Sequence, residues 1–244
     1  MAAREDIEAY RQALATLSER AQADLGRLWA QLDPMDRVTT RDVLIEFLTD
    51  IIHGYGDAAA VIASDYFELV RADVTDDFFI PKLSDPVPSD QVAASTRWAL
   101  SGLFVPNDAA DLSAVLGNLE KVTDRLTKLP ARETFANALT DDPLEPRYAR
   151  VPSGAETCLF CAMLASRGAV YLSQETAGAG ARDFHDHCDC TAVQIYEGQA
   201  LPEGFDPDHY LNVYQDHGGA SIDLARKYDT DGKFVFSETV ATAN

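Results

Sequence analysis

Apolar residues recur at alternating spacings of three and four over the first part of the chain, with charged residues between them. From Glu5 to Leu32 this series predicts one amphipathic helix, which Asp33 and Pro34 would end. Its apolar positions are Ile7, Tyr10, Leu14, Leu17, Ala21, Leu25, Leu28 and Leu32. We interpret this stripe as a face turned to a core, because a coiled-coil seam would need more heptads.

A second helical region follows, and its pattern contains a break. Thr39 or Thr40 is expected to cap its first turn. The Gly54–Gly56 stretch is expected to bend or divide it before an apolar helix resumes over residues 58–70. Residues 73–89 hold three prolines among acidic residues, which predicts a loop or an extended arm.

Further helical segments complete the N-terminal region. Ser89 is expected to cap a helix that continues to Phe104. Asn107 or Asp108 is expected to cap a long helix after it, and Arg132–Leu139 is predicted as a separate short helix.

The pattern changes after residues 141–146, an acidic stretch with two prolines that we interpret as a linker. Residues 147–151 and 191–196 predict short strands, and residues 156–166 predict a helix. Residues 208–228 predict an irregular helix.

These elements predict an α+β fold. A mostly helical region over residues 1–140 would be followed by the linker and by a small mixed α/β module over residues 147–228. Residues 229–244 are expected to form a loosely held C-terminal tail.

Composition and charge narrow the function classes. The chain is 46% hydrophobic, which is enough to bury a real core, and its apolar stretches are too short for a membrane span or a secretion leader. We therefore expect neither membrane insertion nor secretion. Its 40 acidic residues against 20 basic ones give a net charge of -20, which repels phosphate and argues against broad non-specific binding to DNA.

The 4 cysteines all lie between positions 158 and 190, and two histidines lie beside the last pair. A Cys-x2-Cys turn and a second group far along the chain can bind one ion tetrahedrally and so clamp the residues between them. The candidate ligands are Cys158, Cys161, His185, Cys188 and Cys190. Ligation by four cysteines and ligation by three cysteines with His185 both remain open, and His187 is expected to bond from outside the ligand set.

Zinc is the ion that this donor set favours, and one zinc ion per chain is expected. A catalytic zinc keeps an open position for water, whereas thiolates donate charge and weaken the Lewis acid. We therefore predict a closed structural site that stabilises the module. A reduced thiol cluster without metal and a pair of disulfides are the alternatives.

The wider motif carries a family resemblance. The spacing Cys-x2-Cys followed by His-x2-Cys-x-Cys, together with the strings at residues 150–154 and 167–171, resembles the MuF-like family. These are minor capsid proteins of tailed phages related to the Mu protein F. The resemblance covers about residues 147–196.

The resemblance implies a minor head protein of the virion. Such a protein is carried inside the capsid near the portal, acts in head assembly, DNA packaging or ejection, and is present in the host cytoplasm during assembly. Its implied partners are the portal protein, the major capsid protein or both. The chain has Asp186 and Asp189 where family members carry proline and a basic residue, which argues against a DNA-facing role for that loop.

Packaged DNA is a further expected partner through a local basic patch. Four arginines surround the cysteine module, namely Arg147, Arg150, Arg167 and Arg182. They form either a basic face toward portal or DNA, or ion pairs with neighbouring acidic residues.

Two enzymatic functions are the alternatives to a head protein. A capsid maturation protease would need a serine nucleophile and a histidine base, drawn from Ser153, Ser166, Ser173, His185 and His209. No nucleophile signature surrounds any of these serines. A nuclease or toxin of the treble-clef kind would use His187 as base, but the acidic field opposes its substrate.

Overall fold

The described part of the chain is built mainly from helices. The computed structural model describes residues 3–105, 110–152, 157, 159–171 and 190–216. In chain order the elements are α1 (Arg4–Trp29), α2 (Arg37–Ala72), α3 (Ser89–Ala99), a 3-10 helix (Leu100–Phe104), α4 (Leu112–Asp141), β1 (Arg147–Pro152), α5 (Leu159–Ser166), β2 (Cys190–Ile195) and α6 (Pro207–Asp216). This is the predicted α+β class. Within those ranges, no helix combines the length and the hydropathy needed to cross a membrane.

Helix α1 confirms the first prediction. It begins at Arg4 and ends at Trp29, three residues before the predicted Leu32, which lies in a turn. Its buried positions include Ile7 and Leu25, so the predicted stripe faces a core.

The caps of the later helices differ from those predicted. The carboxylate of Asp36, not Thr39 or Thr40, caps α2 by accepting the Thr39 N–H. The Thr40 hydroxyl instead donates to the carbonyl of Asp33 at 2.8 Å, so it holds the preceding turn. An N-cap side chain accepts a hydrogen bond from the backbone N–H three residues further along the helix. Both a carboxylate and a hydroxyl can accept this bond, so residue type alone does not distinguish Asp36 from the threonines.

The predictions of two further N-caps were also wrong. Ser89 is the first helical residue of α3, and Pro88 stands at the cap without a side-chain bond. Helix α4 is capped by Asp111, whose carboxylate accepts the N–H of Ala114 at 3.0 Å. The predicted caps Asn107 and Asp108 lie outside the described residues.

Helix α2 is continuous through the glycines that were expected to divide it. A Cβ added at Gly56 would lie 3.0 Å from the ring carbon Cγ of Pro130 in α4. Gly56 therefore allows two long helices to approach closely, and the absent side chain serves packing, not a bend. Helix α4 likewise runs through Pro130, so Arg132–Leu139 is not a separate helix.

We expect Gly56→Ala and Gly54→Ala to change the free energy of unfolding in opposite directions. At Gly56 the new methyl group must displace Pro130, and we expect a net loss of about 1 kcal/mol after the gain in helix propensity. At the exposed Gly54 nothing lies within 4 Å of the added atom, so we expect a gain of up to about 1 kcal/mol. Urea denaturation of both variants measures this, and equal stabilisation would show that the contact is not tight.

Two apolar clusters form the core. One lies among the helices and includes Leu25, Leu44, Leu48, Ile52, Leu100, Leu119 and Leu126. The other joins the helices to the sheet and includes Tyr66, Phe67, Phe135, Tyr148, Leu164, Val193 and Ile195. The sheet and α5 thus share a core with the ends of α2 and α4. The division into domains at residues 141–146 stays a prediction.

Strands β1 and β2 form an antiparallel pair at the two places where strands were predicted. Pro152 lies opposite Cys190, and Arg150 lies opposite Ala192. The side-chain amide of Gln194 donates to the carbonyl of Phe67 in α2 at 2.8 Å and attaches the sheet to the helices. Residues 217–228 of the predicted irregular helix and the predicted tail at residues 229–244 lie outside the described residues.

Residues 75–88, which we call the arm, have no regular secondary structure, as the prolines predicted. Both ends are attached to the helices. Near the start, the Arg71 guanidinium donates to the carbonyl of Asp77 and lies 5.2 Å from the ring centre of Phe79. Near the end, the Ser84 N–H donates to the Thr134 hydroxyl at 2.9 Å. The arm is therefore held in place along the helices.

Candidate metal centre

Helix α5 is positioned by the turn that ends it. Gly168 has a positive φ of 68° and donates its N–H to the carbonyl of Ala165 at 3.0 Å, a C-cap for which glycine is suited. The chain then returns to β1, where the Tyr148 N–H donates to the carbonyl of Tyr171. The Tyr171 hydroxyl donates to the carbonyl of Leu164 at 3.0 Å and so attaches α5 to the sheet.

This arrangement brings two predicted ligands together. Cys161 on α5 and Cys190 at the start of β2 are both buried, and their sulfur atoms lie 3.3 Å apart. A disulfide would need about 2.0 Å. Two sulfurs on one tetrahedral zinc would lie about 3.8 Å apart, given the usual zinc–sulfur length. The separation is therefore too long for a disulfide bond, and it is about 0.5 Å shorter than the spacing of two sulfurs on one zinc ion.

A buried arginine completes the described part of the centre. Arg150 of β1 is 0% exposed, and its guanidinium donates to the Cys190 sulfur from Nε at 3.0 Å and from Nη2 at 2.6 Å. Such bonds are strongest when the sulfur carries negative charge, as it does on a metal ion. The sequence offered one signal for this role, since Arg150 stands inside a predicted strand between two apolar residues.

The arginines predicted as a basic patch have different positions. Arg147 and Arg150 are buried, so neither contributes to an exposed basic face. Arg167 is partly buried, and Arg182 lies outside the described residues. A contact with DNA through this region stays a prediction.

The remaining predicted ligands Cys158, His185 and Cys188 lie outside the described residues, as does His187. Among the residues that are described, no group of three or more His, Cys, Asp or Glu side chains converges on one point. The complete ligand set thus stays a prediction. The donor set fits zinc better than magnesium or calcium, because those ions prefer oxygen ligands.

Two buried tyrosines line the described side of the centre. Burial raises the pKa of both Tyr148 and Tyr171 above the ordinary value, although Arg150 lowers each of them in part. Both hydroxyls are therefore neutral at physiological pH. Their rings lie 5.4 Å apart and pack on each other.

The serines and histidines proposed for a protease are not brought together in the described structure. The hydroxyl of Ser166 is buried and donates to the carbonyl of Met163 at 2.7 Å in its own helix. His209 lies on α6 with its ring against Tyr210. Ser153, Ser173 and His185 lie outside the described residues.

Comparison with known proteins places the chain in a phage protein family. A family model described as VG15 protein matches residues 1–217, most of the chain, so this chain belongs to the VG15 protein family. It is similar to the Gene 15 protein of Mycobacterium phage D29, with 26% identity over 157 residues that cover 52% of this chain and 57% of the relative.

A second relative is the Gene 15 protein of Mycobacterium phage L5, with 26% identity over 200 residues. That match covers 63% of this chain and 64% of the relative, so the chain spans less than two thirds of the length of either relative. No solved structure matches the chain. The comparisons thus identify a phage protein, and the narrower resemblance to MuF-like proteins stays a prediction.

Proposed function

We propose that this protein is a minor head protein of a tailed phage, of the MuF-like kind, which is carried inside the capsid next to the portal. It would act in head assembly, DNA packaging or ejection, and would be in the host cytoplasm before assembly. Membership in a phage family supports a virion role. The observation that carries the proposal is the apolar surface of the arm.

The arm exposes large apolar side chains that a monomer would normally cover. Phe78 is 86% exposed and Ile80 is 60% exposed, while Phe79 between them packs on Phe67. Exposed apolar groups that cluster on a surface are typical of sites that bind another protein. Because both ends of the arm are attached to helices, binding would order few additional residues and lose little entropy.

The shape beside these residues favours a specific protein surface. The arm and the end of α2 border a half-open pocket of about 270 Å³, lined in part by Glu68, Asp76 and Phe78. A protruding ring beside a pocket can fit a complementary protein surface, and such shape complementarity is typical of specific interfaces.

The negative charge of the arm and of the whole chain limits the kinds of partner that the arm can bind. Asp76, Asp77 and Asp85 accompany the apolar side chains, and the whole chain carries a net charge of -20. This charge opposes a nucleic acid and a second copy of the chain, and it favours an apolar pocket bordered by lysine or arginine. We propose the portal protein as the occupant, and binding to the major capsid protein instead is an outcome that the experiment below can return.

We also propose one structural zinc ion per chain, bound by cysteines from both halves of the motif, with His185 as the alternative ligand to one cysteine. The 3.3 Å contact between Cys161 and Cys190 supports this proposal, as does the guanidinium beside it. A bound zinc would supply folding free energy by joining α5 to β2. Nothing among the described residues favours the protease or the nuclease, so neither is proposed.

The double variant Phe78→Ser/Ile80→Ser is expected to lower the number of copies per phage head at least about 10-fold, because the apolar contact supplies much of the binding energy. The matched control is Met35→Ser/Val38→Ser, which removes apolar side chains that are 56% and 55% exposed at the start of α2. Quantitative mass spectrometry of purified heads measures both.

Cross-linking from position 78 in assembled heads identifies the protein that the arm contacts. A cross-link to the portal supports the proposed partner, and a cross-link to the major capsid protein replaces it. Equal incorporation of the arm variant and the control would overturn the role of the arm. Absence of the wild-type chain from heads would overturn the proposed function.

A further inference from the structure

We propose that Arg150 is a positioning residue of the cysteine centre, whose guanidinium holds the Cys190 sulfur in the orientation that a thiophilic metal ion requires. This inference rests on the metal site proposed above. Arginine does not itself ligate zinc, so Arg150 would affect metal binding through the Cys190 sulfur.

The register of the sheet places the two side chains on one face. Cys190 lies opposite Pro152, and Arg150 is two residues from Pro152 on the same strand. Residues two apart on a strand point to the same face, so Arg150 and Cys190 are diagonal neighbours across the strands. The contact is therefore produced by the backbone pairing of β1 with β2.

The geometry of the guanidinium fixes the sulfur. Two donors of one rigid plane, Nε and Nη2, both reach the Cys190 sulfur, at 3.0 Å and 2.6 Å. A single donor would leave the Cys190 side chain free to rotate. Two donors on one rigid guanidinium restrict both the direction and the distance of its sulfur. The restricted sulfur lies 3.3 Å from that of Cys161, within reach of a shared ion.

Burial gives the same residue an electrostatic role. A guanidinium without solvent exposure needs nearby negative charge, and a zinc ion with several thiolate ligands carries net negative charge. The guanidinium and the loaded site therefore stabilise each other. In other metal sites, removal of a group that hydrogen-bonds to a metal ligand usually lowers metal affinity about 10- to 100-fold.

The test compares Arg150→Met and Arg150→Lys with Arg147→Met and Arg147→Lys. Arg147 is a matched control because it is buried on the same strand, where the nearby charge is the Glu197 carboxylate. Zinc affinity is measured by competition with a chromophoric chelator. We expect a loss of about 10- to 100-fold for Arg150→Met, a smaller loss for Arg150→Lys, and little change for both control variants.

Cobalt substitution provides a readout that a purely structural role would not move. The sulfur-to-cobalt charge-transfer bands report the bonding of each thiolate, so we expect them to shift in Arg150→Lys and to stay in place in Arg147→Lys. The lysine variant keeps a positive charge, which keeps the test valid if the methionine variant does not fold.

Two different outcomes distinguish failure of the metal site from failure of the role of Arg150. A wild-type protein that binds neither zinc nor cobalt would overturn the metal site itself. A wild-type protein that binds zinc, with Arg150 variants that match its affinity and its cobalt spectrum, would overturn the role of Arg150 and leave the site standing.

Discussion

A Cys161→Ser variant is expected to lose the zinc ion that we propose for this site and to weaken the packing of α5 on the sheet. Cys161 is buried, and its sulfur lies 3.3 Å from that of Cys190. Because removal of a group that only supports a ligand weakens binding up to about 100-fold, loss of a ligand should weaken it by more than that. The zinc content of the purified protein, measured by elemental mass spectrometry, should fall from about one ion per chain to nearly none.

The neighbouring Ala162→Ser variant is the control. It adds a hydroxyl at an equally buried position of the same helix, so it includes the effect of a buried polar group but leaves every sulfur in place. We expect this variant to bind the proposed zinc ion even if it is less stable. A Cys161→Ser protein that still binds one zinc per chain would remove Cys161 from the ligand set.

An Asp142→Asn variant is expected to lower the free energy of unfolding by about 3–5 kcal/mol, because it leaves a buried charge without its partner. Asp142 accepts from Nε of Arg71 at 3.1 Å and from the Tyr196 hydroxyl at 2.9 Å, and both members of the ion pair are almost fully buried. Urea denaturation measures the loss.

The control for this pair is Asp42→Asn. Asp42 forms an ion pair with Arg41 at the exposed surface of α2, where solvent screens the attraction, and we expect a change of at most about 0.5 kcal/mol. The double variant Arg71→Met/Asp142→Leu removes both charges and should recover part of the loss. A loss below about 1 kcal/mol for Asp142→Asn would mean that water reaches the pair.

The same ion pair links the proposed interaction surface to the sheet. Arg71 contacts the arm at Asp77 and Phe79, and its partner Asp142 accepts a hydrogen bond from Tyr196, just after β2. Burial, followed by the neighbouring Asp142 carboxylate, raises the pKa of Tyr196, so its hydroxyl remains a donor at physiological pH. Loss of this pair should therefore loosen both the arm and the sheet.

Local breaks were the least reliable part of the sequence prediction. Gly54–Gly56 and Pro130 were expected to interrupt helices, yet both helices are continuous. Local propensity opposes a helix at glycine and proline, but packing of α2 on α4 at Gly56 and Pro130 overrides it. The caps at Asp36 and Asp111 differed for a simpler reason, since several adjacent side chains of each segment can accept the same N–H.

The sequence by itself determined which segments are helical, the position of the two strands, the arm and the grouping of the cysteines along the chain. Each follows from periodicity, proline content or spacing, which are local properties. Only the tertiary structure decided that Arg150 lies on Cys190 and that Arg71 pairs with Asp142. The members of these pairs are 40 and 71 residues apart, and no local pattern specifies which buried charge meets which partner until strand register and helix packing place them.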